Sequence, residues 1–139
     1  MATLAHALQL IGGWIAPLII FLVKRESRFV SFHALQALLF QIVHLVLVIV
    51  MVIGWMITIF STVAFSSANK NAAPPVAFFI AIPIFWLFIM AVGITTVVIA
   101  IMYCIKAGRG EWAEYPVLGR LARKILKIGP NGAVIPGQL

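Results

Sequence analysis

The stretch FHALQALLFQIVHLVLVIVMVIGWMITIFSTVAF, Phe32–Phe65, decides the fold. It runs 34 residues without an Asp, Glu, Lys or Arg. As one helix it rises about 51 Å, against a hydrocarbon core of about 30 Å. Such a helix crosses a bilayer and has length to spare. Residues 45–57 are wholly apolar, whereas the first third carries His33, Gln36, Gln41 and His44. The polar third is therefore predicted as the protruding or interfacial end.

Two further uncharged windows flank this one, at 1–23 and 71–105. Each is long enough to cross. The chain of 139 residues is 64% hydrophobic and 9% charged, which describes an integral membrane protein and excludes a soluble globular domain. The first span is expected over about Leu4–Val23, with a bend where Gly12–Gly13 precedes Pro17. The second covers 32–65. The third, about 76–105, starts behind Pro74–Pro75, and Pro83 predicts a bend within it.

The first window has no basic segment before it, and Lys24, Arg25 and Arg28 follow it. That order reads as an N-out anchor and not as a cleaved signal peptide. With three spans, the first loop and the tail share one side. They hold Lys24, Arg25, Arg28, Lys106, Arg109, Arg120, Arg123, Lys124 and Lys127, against Lys70 alone in the other loop. The positive-inside rule then puts the nine in the cytoplasm of a bacterial inner membrane, with the N-terminus outside.

The tail VLGRLARKILKI, Val117–Ile128, stands between Pro116 and Gly129–Pro130, a start and a stop signal. On a helical wheel its Leu, Ile and Val residues gather on one side, and Arg120, Arg123, Lys124 and Lys127 on the other. A basic amphipathic helix over about 116–128 is expected to lie among anionic lipid headgroups. Its tether to a membrane span argues against nucleic acid as the partner of this charge.

His33, Gln36, Gln41 and His44 share one face of the second span. In lipid, such groups face a bundle or a wet cavity. They line a path, or they make interhelical hydrogen bonds. Haem or pigment ligation needs two histidines at one depth. A straight first span puts His6 near the outer end and His33 at the inner end, so no pair within the chain fits, and no cofactor is expected unless another subunit supplies a ligand. No acidic residue lies within a span, so a carboxylate proton relay is absent. No nucleophile–base–acid set exists either. The single cysteine, Cys104, excludes an internal disulfide.

Two cytoplasmic motifs complement each other. Arg25, Arg28 and Phe29 stand against Glu111, Trp112, Glu114 and Tyr115, and they are expected to clamp together over His33 and Gln36. The segments PLIIFLVKRESRFVSFHALQALLFQ (Pro17–Gln41) and YCIKAGRGEWAEYPVLGRLA (Tyr103–Ala122) resemble a family of small bacterial membrane proteins. That family is related to the twenty-kilodalton subunit of the chloroplast inner-envelope import translocon. The resemblance implies a helical membrane bundle and, by way of the plastid members, a channel component in protein import.

The expected fold is thus all-α, with three transmembrane helices, an over-long second one, and a C-terminal interfacial helix in one membrane domain. The expected function is non-enzymatic: an accessory or scaffold subunit of a membrane assembly, as a homo-oligomer or within a larger complex. A translocation pore and a small transporter are the alternatives.

Overall fold

The computed structural model describes residues 1–69, 73–129 and 132–133. Lys70, the lone basic residue of the second loop, lies outside them. The described residues form five helices and no strand: α1 (Ala2–Gly12), α2 (Ile15–Val23), α3 (Arg28–Ala68), α4 (Val76–Gly108) and α5 (Leu118–Leu126).

α3 and α4 are long and apolar enough to cross a membrane. At 41 and 33 residues they rise about 62 and 50 Å. Ser27 starts α3, with its hydroxyl 3.4 Å from the Val30 amide, the geometry of an N-cap. Pro75 opens α4 by accepting the Phe78 amide at 2.9 Å, and the helix continues through Pro83.

The single helix expected over Leu4–Val23 does not form. Gly13 takes φ 54° and ψ −133°, a conformation open only to a residue without a Cβ, and it divides the window into α1 and α2. Pro17 stands third in α2, where its missing N–H has no partner to lose. The bend predicted at Gly12–Pro17 is in fact a complete break. Helices of 11 and 9 residues rise only about 16 and 14 Å, half of a hydrocarbon core.

The chain divides into two compact units. One comprises Met1–Val43 and Thr96–Leu139. Its core joins Phe32, Leu35 and Leu38 of α3 to Ala122 and Ile128, with Leu18 and Phe21 of α2 and Trp112 packed on them. Ser31–Leu38 are buried without a break, so this stretch of α3 is enclosed on every side.

The turn leading from α4 is a Schellman motif. Glu111 donates its amide to the Lys106 carbonyl and Gly110 to that of Ala107, with Gly110 at φ 78°. α5 ends the same way, with Ile128 bonding to Arg123 and Lys127 at φ 52° in the left-handed position.

The other unit, His44–Thr95, is held by aromatic stacking. Trp55 lies 4.7 Å from the ring of Phe85 and 6.2 Å from that of Phe78. Thr58 and Thr62 donate to carbonyls four residues back in their own helix, which spends their hydroxyls locally.

Candidate functional site

Polar side chains converge inside the first unit. α1 brings His6 and Gln9, α3 brings Ser31, His33, Gln36 and Gln41, and all six are buried. Tyr103 of α4 and Tyr115 are buried beside them.

The hydrogen-bond order follows from its last acceptor. His33 Nε2 lies 3.1 Å from the Glu111 carbonyl, which only accepts, so this nitrogen carries the proton. A neutral His33 then accepts at Nδ1, from His6 Nε2 at 3.0 Å. His6 in turn accepts at Nδ1 from the Tyr115 hydroxyl at 3.0 Å. Neutral imidazoles suit this buried place, because an uncompensated buried charge is costly. Burial pushes the Tyr115 phenol up, which keeps its proton available for donation. The chain of donors therefore runs Tyr115, His6, His33, Glu111 and stops at a main-chain oxygen. All four nitrogens of His6 and His33 are thus engaged in hydrogen bonds.

Gln36 ties the same segment twice. Its amide nitrogen donates to Ala113 O at 3.2 Å, and its Oε1 accepts the Tyr115 amide at 2.7 Å. Tyr103 donates its hydroxyl to Glu114 O at 2.6 Å. Gln41 donates to the Gln9 carbonyl at 2.9 Å. Every one of these side chains thus holds main chain in place.

Of the polar face expected on the second span, the structure gathers His33, Gln36 and Gln41. His44 is half-buried and belongs to the other unit. His6 and His33, expected at opposite depths, touch; the break at Gly13 removes the straight span on which the separation rested. Sequence reading missed Gln9 and Tyr103. The signal was present, since His6 and Gln9 share a face of α1 and need polar partners in an apolar setting.

Phe29 packs edge-on against Trp112 at 5.2 Å, and Phe32 meets Trp112 at 5.4 Å. Arg25 lies over Phe21 at 5.8 Å instead, and Arg28 is exposed. The glutamates pair within the tail: Glu114 with Arg123, and Glu111 with Arg109 at 4.0 Å.

Arg123 departs from the basic face expected of the tail. It turns inward, donates to Gly129 O at 2.6 Å and stands 5.2 Å from the Phe32 ring. Arg120, Lys124 and Lys127 are exposed. Gly119 and Ala122 form the seat of α5 and are buried. Among the described residues, no group of three or more His, Cys, Asp or Glu is placed to hold a metal ion.

Residues 1–122 match the family described as the magnetosome magnetite crystal formation protein family, MamF/MmsF. Both segments Pro17–Gln41 and Tyr103–Ala122 fall within that match, so the likeness to the plastid translocon family is replaced by it. No curated protein and no solved structure matches the chain.

Proposed function

The chain belongs to the MamF/MmsF family, and we propose that it acts in magnetite crystal formation as a non-enzymatic membrane scaffold, working in an oligomer or a larger membrane complex. The observation that carries this reading is the fate of the buried polar groups. His6, His33, Gln36, Tyr103 and Tyr115 spend their hydrogen bonds on each other and on the main chain of 111–115. A proton entering this chain has no outlet past the Glu111 carbonyl. The groups brace the first unit and leave no reactive atom of their own exposed.

The sidedness proposed here differs from a three-span arrangement. Cys104 Sγ lies 3.6 Å from the Thr3 carbonyl, and Thr3 also stands against Gly108. The His6 ring meets that of His33, and the Gln9 main-chain carbonyl accepts from Gln41. α1 therefore starts beside the charged end of α4 and runs inward, and α2 returns to Lys24. In this reading 2–23 is a re-entrant helical pair, and α3 and α4 are the two spans. The N-terminus, the first loop and the tail share the basic, cytoplasmic side.

The test is complementation of a deletion strain, with crystal size and number read by electron microscopy. Wild type restores both. Scaffold action requires that substitutions in the His6–His33–Tyr115 chain that preserve the melting temperature restore them too. A variant such as His6→Asn that folds as wild type yet restores no crystals would overturn the non-enzymatic reading.

A further inference from the structure

A groove of about 640 Å³ opens in the first unit between α3, α4 and the segment Tyr115–Leu118. Its volume lies within the roughly 300–1,000 Å³ usual for ligand sites. Phe40 and Val43 form one wall, Ile99 and Met102 another, and Val117 and Leu118 the third. The rings of Tyr103 and Tyr115 complete it, but their hydroxyls point away, to Glu114 O and His6 Nδ1. Nothing in the groove asks for a polar occupant.

Its surroundings do. Lys106 Nζ stands 5.5 Å from the centre of the Tyr103 ring that lines the groove. Arg120 follows Leu118 by two residues, Lys124 lies one turn further along α5, and both are exposed. The two ion pairs among the described residues consume Glu111 and Glu114 and involve none of these three cations. On α5, exposed Leu121 and Ile125 adjoin the exposed Arg120 and Lys124, so the boundary between acyl chain and headgroup passes along this helix.

We propose that the groove holds an acyl chain of an anionic phospholipid whose phosphate is bound by Lys106, Arg120 and Lys124. The proposal rests on the membrane placement given above. A second copy of the chain is the poorer occupant, because each copy carries a net charge of +7 and would bring more positive charge to a basic rim. Lipid supplies both the apolar tail and the negative charge.

The experiment uses the full chain, purified in mild detergent, stripped of lipid and offered equal amounts of phosphatidylglycerol and phosphatidylethanolamine. Native mass spectrometry reads the adducts. Three cations beside an anionic headgroup imply a preference for phosphatidylglycerol of about tenfold or more. Lys106→Gln with Arg120→Gln and Lys124→Gln should bring the ratio near one without altering the melting temperature. Val43→Trp fills the groove and should reduce both adducts while leaving the cations in place.

Equal retention of the two lipids by wild type overturns the proposal. So does full retention of phosphatidylglycerol by Val43→Trp, which would leave a headgroup patch without a chain site. A dimer that persists with phosphatidylglycerol present and is lost in Val43→Trp would show a second copy in the groove and overturn it as well. Any of these results leaves the complementation outcome untouched, so failure here is distinct from failure of the scaffold reading.

Discussion

Replacing Gln36 by Leu isolates the brace between α3 and the tail. The two side chains are close in size, so the substitution leaves little cavity. It removes the acceptor of the Tyr115 amide, 2.7 Å away, and the donor to Ala113 O, 3.2 Å away. Gln36 and Tyr115 are both buried, so water cannot replace the bond to the Tyr115 amide without opening the segment, whereas the half-buried Ala113 carbonyl is nearer to water. The stranded amide costs about 1–3 kcal/mol. At ~2 kcal/mol, opening of the segment becomes about 30-fold more frequent. Amide hydrogen exchange in detergent micelles reads this directly at Tyr115. Thr58→Val serves as the control, because Thr58 donates only within its own helix, to Gly54 O; its effect on Tyr115 exchange should be nil. Unchanged protection at Tyr115 in Gln36→Leu would refute the view that this glutamine anchors the tail.

Four further outcomes are expected. Gly119→Ala places a Cβ 2.6 Å from Glu114 Cβ and 3.0 Å from Gln36 Oε1, so it should lower stability by about 1–3 kcal/mol in a thermal assay. Trp112→Ala should cost about 3–5 kcal/mol, more than Glu114→Gln, whose pair with Arg123 is partly exposed; the reverse order would show that charge dominates this contact. Arg123→Gln should lower the melting temperature, since it strands Gly129 O and Glu114, whereas Arg120→Gln should leave it unchanged. A short epitope tag on the N-terminus should be cut by protease in inverted vesicles and protected in spheroplasts, and the opposite pattern would restore a straight first span.

The long helices were legible because their cause is local. Uninterrupted apolar residues over Phe32–Phe65 and Val76–Ile105 imply helices in any apolar setting, and the observed ones differ only by a few residues at the ends. The two-faced pattern of the tail helix was legible in outline, with Arg120, Lys124 and Lys127 exposed and Ala122 buried, but Arg123 was not separable from Arg120 by periodicity. What draws Arg123 inward is Glu114 and the Phe32 ring, and those positions come from tertiary structure. The first window misled for a definite reason. Twenty apolar residues satisfy the length criterion for a span, and length carries no information about a single φ at Gly13. Gly12–Gly13 and Pro17 marked the place, yet a bend and a reversal share those residues. Only the partners of the His6 ring and of the Gln9 carbonyl distinguish them.

The break at Gly13 also sets an order of events during synthesis. α1 leaves the ribosome well before its partners: Thr3 waits for Cys104, and His6 for Tyr115, across 101 and 109 residues of chain. Closing such distant contacts is slow. Neither α1 nor α2 is long enough to be held as a span in the meantime. α1 is therefore made early yet is among the last elements to settle, and a nascent chain that ends before Tyr115 carries His6 without its phenol. Arrest at that length should leave the N-terminal pair open to quality-control proteases, while the completed chain shields it.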